Sequence, residues 1–73
     1  MPSLPVISGR KTVRTFENLG WQVACQRGSH IIMVKEGEMT TLSIPDHKEV
    51  ARGTLRSLIR TAGVTVEELI AEI

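Results

Sequence analysis

Three glycines, Gly20, Gly28 and Gly37, cut the middle of this chain into two short segments, 21–27 and 29–36, and a third that begins at Met39. Parallel strands need a long, usually helical crossover, and none fits between segments this short, so any strands here pair antiparallel through tight turns. In the first segment Trp21, Val23 and Cys25 alternate with Gln22, Ala24 and Gln26, the pattern of a half-buried strand. Gly28-Ser29 is the turn that follows. His30 to Lys35 reads as a second strand whose Ile31, Ile32, Met33 and Val34 are apolar on both faces, as expected of a central strand. Glu36-Gly37-Glu38 turns the chain again, and Met39 to Ile44 makes a third strand with Thr40, Leu42 and Ile44 on one face. The expected sheet is a three-stranded meander.

Helical periodicity flanks it on both sides. Pro2 and Pro5 make Met1 to Pro5 an extended lead-in, and Ser8 is the N-cap of a helix from Gly9 to Leu19. Val13, Phe16 and Leu19 share one side of that helix, with Arg10, Lys11, Arg14, Glu17 and Asn18 on the other and Gly20 as the terminating glycine. Pro45 stops the sheet, and 46–52 is a polar connection. From Gly53 onward Leu55, Leu58, Ile59 and Ala62 recur at i, i+3, i+4, i+7, and Gly63 closes that helix. Thr65 and Glu68 form a capping box, with Val64 and Leu69 placed for the hydrophobic staple, so a last short helix covers 66–72. With 73 residues the chain is one small domain, 1–73, in the order α-β-β-β-α-α. A small open sheet needs its apolar face covered, and the first two helices carry the stripes to do it. The expected fold is therefore an α+β two-layer sandwich with both helices on one face. Its element order resembles that of the double-stranded-RNA-binding domain.

The composition is 41% hydrophobic with Phe16 and Trp21 as the only aromatic residues, which describes a globular chain with an aliphatic core. A single cysteine, Cys25, excludes an internal disulfide, and with neither a secretion signal nor a long apolar stretch the chain is expected in the cytoplasm. The net charge of +1 is unevenly spread: nine Lys and Arg stand against five acids in 1–62, a balance of +4, whereas Glu67, Glu68 and Glu72 give the remainder −3. A basic body with an acidic end suits an anionic partner on one face.

The residues able to do chemistry are few. His30 stands directly after a glycine turn at the mouth of a strand, where it either caps the turn or acts as a general acid–base group, because free imidazole titrates near pH ~6.5. RNA is the substrate such a group serves without a cofactor, since a deprotonated 2′-hydroxyl attacks the neighbouring phosphorus itself. His47 is a possible helper if the loop after the third strand folds beside the second, and otherwise a solvated histidine. His30, His47 and Cys25 lack any zinc-ligand spacing, and neither metal nor cofactor is expected. Arg27 and Lys48 flank the two histidines and are placed to hold a phosphate. Arg52, Arg56 and Arg60 at i, i+4, i+8 make one basic stripe, and Arg10, Lys11 and Arg14 a second. Trp21 either stacks on a base or packs in the core.

These motifs, in order, are Leu4-Pro5-Val6-Ile7-Ser8-Gly9, Leu19-Gly20-Trp21, Gly28-Ser29-His30, Ile44-Pro45-Asp46-His47, Gly53-Thr54-Leu55-Arg56-Ser57-Leu58-Ile59 and Ala62-Gly63. Together with the Glu-rich last helix they resemble the HicA-type toxins, the mRNA interferases of HicA–HicB toxin–antitoxin pairs. The resemblance implies a double-stranded-RNA-binding-like fold and ribosome-independent mRNA cleavage with His30 as the catalytic histidine. Gly28, Ser29, Arg27, Lys48, Arg52 and Arg56 are then the expected substrate contacts. It also implies a HicB-like antitoxin that covers the site and reaches operator DNA on the toxin's behalf, with no membrane partner. Two positions depart from the family pattern: Trp21 stands where phenylalanine is usual, and Asp46 where a basic residue often precedes the second histidine. An RNA-binding module without turnover, and a domain that binds only a protein partner, are the competing readings.

Overall fold

The structure, a computed structural model, describes residues 3–73, so the first two residues of the lead-in lie outside the described residues. Its elements are α1 (Gly9–Asn18), β1 (Gln22–Arg27), β2 (His30–Val34), β3 (Leu42–Pro45), α2 (Arg52–Ala62) and α3 (Val66–Ala71). The three strands form one antiparallel sheet in the order β1-β2-β3. This is the α+β, α-β-β-β-α-α arrangement expected.

Strand alternation decides what each face carries. Ile31 and Met33 of β2 and Leu42 and Ile44 of β3 turn inward, joining Val13 and Phe16 of α1 and Leu55, Leu58 and Ile59 of α2 in one core. Both helices thus cover the same face. Trp21 is 1% exposed and belongs to this core, which settles its role as packing, although its indole Nε1 finds no hydrogen-bond partner among the described residues. Leu4 and Ile7 are buried as well, and Ile7 accepts at its carbonyl from Val50 N at 2.9 Å, so the lead-in straps the core instead of trailing from it.

The ends of the elements follow local chemistry. Ser8 Oγ accepts from Lys11 N at 3.1 Å, and the buried Thr12 and Thr15 hydroxyls donate to the carbonyls of Ser8 and Lys11 one turn back, both at 2.8 Å. Gly63 adopts φ 74° at the end of α2, and the Thr65–Glu68 capping box is complete, with bonds of 2.9 and 3.0 Å.

Two expectations are corrected. β1 is exposed along its whole length rather than half-buried: it is an edge strand, the core takes Trp21 just before it, and a register shift between Val23 and Cys25 breaks its alternation. The third strand begins at Leu42, not Met39: residues 39–41 offer the core no apolar face, and Met39 stands fully in solvent in the loop that Gly37 turns at φ 86°. Pro45 closes β3 as its last residue, on an edge where its missing N–H costs no ladder bond. No helix among the described residues is long and apolar enough to cross a membrane.

Candidate functional site

The turn that presents His30 is two residues long. Arg27 pairs directly with His30 across β1 and β2, which leaves Gly28 and Ser29 as the loop. Gly28 has φ 58° and no non-glycine residue has positive φ, the pattern of a type II′ turn with glycine at its first corner. Nothing lies within 4 Å of where a Gly28 side chain would begin, so the approach to this turn is open. Gln26 Nε2 steadies it by donating to the Gly28 carbonyl at 3.1 Å.

His30 points away from the core. Its neighbour Ile31 is buried while His30 is exposed, and across the sheet Ser43 is the exposed residue between buried Leu42 and Ile44. The two side chains meet on this uncovered face, with Ser43 Oγ 3.3 Å from His30 Nδ1. When the hydroxyl donates to Nδ1, the imidazole proton sits on Nε2; when Nδ1 carries the proton, it donates to Oγ and Nε2 is the basic nitrogen. In either case Nε2 is the ring nitrogen left for a substrate. Arg27, opposite His30 on the edge strand, is exposed and lies beside it. Ser43 was not singled out in the sequence; a small polar residue between two apolar strand residues was its only signal.

The segment after β3 does fold against the β2 turn. Asp46 N donates to the Ser29 carbonyl at 2.7 Å, and its carboxylate takes a two-pronged contact from Arg10, Nε to Oδ1 at 3.2 Å and Nη2 to Oδ2 at 3.1 Å. The His47 carbonyl accepts from Gly9 N at 2.8 Å, so α1 begins directly against this segment. A Cβ on Gly9 would collide with the Pro45 carbonyl oxygen, which explains a glycine at the first residue of a helix. Asp46 thus acts as a tie between the helix and the turn, a use for the acid that departs from the family pattern.

The backbone of His47 is therefore brought near the Ser29–His30 turn, while its imidazole and the Lys48 ammonium are exposed. Arg52 and Arg56 are exposed on α2, in the helical layer on the opposite side of the sheet from His30, and among the described residues no hydrogen bond or ion pair joins them to the His30 turn. The α2 stripe and the His30 face are separate surfaces. Among the described residues no three His, Cys, Asp or Glu side chains cluster to hold a metal ion.

Comparison with known proteins returns one family and one fold. A family model described as the HicA toxin of bacterial toxin–antitoxin systems matches residues 9–64. A solved structure titled as a toxin–antitoxin complex from Streptococcus pneumoniae is similar to this chain with a TM-score of 0.70 and 30% sequence identity, covering 80% of this chain and 98% of that one. Comparison with the curated proteins gives no match.

Proposed function

We propose that this chain, which belongs to the HicA toxin family of bacterial toxin–antitoxin systems, is an mRNA interferase in which His30 moves the proton of the reacting RNA hydroxyl. The observation that carries this reading is the pairing of Arg27 with His30 on the uncovered face, with Ser43 engaging Nδ1 at 3.3 Å. In the proposed step His30 Nε2 takes the proton of the 2′-hydroxyl, the freed oxygen attacks the adjacent phosphorus, and the bond from phosphorus to the 5′ oxygen breaks. The departing oxygen takes a proton from water or from His47, the proposed helper. The products are a 2′,3′-cyclic phosphate and a 5′-hydroxyl end.

Arg27 holds the phosphate oxygens and stabilises the charge that builds on them, the role its fork of donors suits. Gly28 and Ser29 admit the RNA backbone to the turn. Lys48, Arg52 and Arg56 are the further phosphate contacts of the proposal, with the α2 arginines engaging RNA that reaches beyond the sheet face. The inhibitor we assign is a HicB-like antitoxin that lies over the uncovered face and masks His30 and Arg27 together; the toxin–antitoxin title of the Streptococcus pneumoniae structure supports a protein partner.

The test is incubation of a labelled mRNA with the protein in EDTA, comparing the parent with His30→Ala after circular dichroism has matched their folds. The parent is expected to shorten the RNA and leave cyclic phosphate ends, and the variant to lose about 10²- to 10⁴-fold in rate. RNA that both proteins bind but neither shortens makes the chain a binding module and overturns the assignment.

A further inference from the structure

A groove of about 370 Å³ runs along α1, lined by Arg10, Lys11, Arg14 and Ile73. Its origin is in the packing of the two ends of the chain. α1 buries Thr12, Val13, Thr15 and Phe16, which leaves Arg10, Lys11 and Arg14 on its outer side. The segment after α3 is held to the end of α1 where Asn18 Nδ2 donates to the Glu72 carbonyl at 3.1 Å, and Ile73 becomes the second wall. The volume falls in the range of small-ligand sites and admits a nucleotide-sized group.

The charges of the groove are largely unspent. Glu17 is the one acid in α1, and the helix has none in its first turn. Of the three cations, Arg10 alone has a carboxylate within ion-pairing distance among the described residues, that of Asp46. That pair is exposed at the arginine, 74%, but not at Asp46, 25%, so Arg10 stays with Asp46 and leaves the phosphates to its neighbours. Lys11 and Arg14 carry no ion pair at all among the described residues.

The groove has a bonded link toward the His30 turn at the end of the sheet. Arg10 at its end grips Asp46, and Asp46 N is bonded to the Ser29 carbonyl at 2.7 Å, one residue from His30.

We infer that this groove binds the phosphodiester backbone of the RNA strand on one flank of the cleaved bond, with Lys11 and Arg14 as its principal phosphate contacts. The inference rests on the ribonuclease reading above and adds to it a subsite outside the sheet face. RNA is favoured over an acidic protein segment because Arg10 at the end of the groove is joined through Asp46 to Ser29, one residue from His30, so that a polymer long enough to pass the end of the sheet reaches both.

The experiment measures RNA affinity against salt, using His30→Ala as the parent so that the RNA stays whole, with and without Lys11→Gln and Arg14→Gln together. Each lost contact to a single strand lowers the slope of log affinity on log salt by about 0.7, so the double substitution is expected to lower it by about 1.4. Raising salt from 0.1 to 1 M then weakens the substituted protein about 25-fold less than the parent. In the cleaving protein the same substitutions raise KM and leave kcat unchanged, whereas Lys35→Gln, a cation outside both the groove and the proposed phosphate contacts, leaves the slope as it was. An unchanged slope with the parent still binding RNA overturns the subsite and spares the ribonuclease reading. A wild-type protein that neither binds nor cleaves RNA overturns the reading itself. An unchanged slope joined to lost antitoxin binding assigns the groove to the protein partner instead.

Discussion

On the covered face of the sheet Ile31, Met33, Leu42 and Ile44 are at most 5% exposed, whereas His30 and Ser43, one residue away along the same two strands, stand in solvent. The backbone is shared, so the difference lies entirely in what each face touches. The covered face holds the fold, and the uncovered face holds the imidazole and the guanidinium opposite it. Substitutions that alternate along β2 should therefore alternate in consequence, first in chemistry and then in stability.

The largest expected effect separates His30 from Met33. His30→Ala is expected to remove cleavage by the 10²- to 10⁴-fold given above with little change in melting temperature, while Met33→Ala costs about 2–5 kcal/mol of stability because it empties fully buried space. Denaturant unfolding and cleavage per folded molecule, measured on both, check this. If His30→Ala melted like Met33→Ala, the two faces would not be independent.

Gly9→Ala tests the junction between the layers. The added methyl meets the Pro45 carbonyl oxygen with Asp46 Cα close behind, so a loss of about 1–3 kcal/mol is expected, accompanied by slower cleavage as the segment tied to Ser29 shifts. Normal cleavage in a destabilised Gly9→Ala protein would uncouple that segment from the site. Ser43→Ala sharpens the comparison on the open face alone. Removing one neutral hydrogen bond to His30 should slow cleavage about 2- to 10-fold with the melting temperature unchanged, read from single-turnover rates. The smallest effect belongs to Trp21→Phe, which keeps a buried ring and removes an indole N–H that has no partner among the described residues; a change within about 1 kcal/mol of stability is expected, measured by urea unfolding.

Much of this architecture was legible before any coordinates. Ser8, Gly63 and the Thr65–Glu68 box report bonds between residues three or four apart, and such contacts form wherever the helix forms. Leu55, Leu58 and Ile59 were legible for the same reason, since a 3.6-residue period names its own buried side. β1 and the start of β3 were not. Alternation in residues 21–26 describes a strand able to bury one face, but at the sheet edge only Trp21 reaches the core, and the register shift between Val23 and Cys25 breaks the alternation itself. The buried lead-in residues Leu4 and Ile7 were equally silent, because prolines on either side describe an extended chain without naming what it lies against.

The candidate site divides along the same line. Sequence by itself determined a glycine turn leading into a histidine at the mouth of a strand, two basic helical stripes, the α-β-β-β-α-α order and the motif series of the HicA toxin family. Only the tertiary structure decided that Arg27 stands opposite His30, that Ser43 reaches Nδ1, that Asp46 joins Arg10 to the turn, and that the α2 arginines lie across the sheet from the imidazole. The reason is physical: local rules act through the chain's own period, whereas these neighbours depend on strand register, where a slip of one residue moves every side chain to the other face.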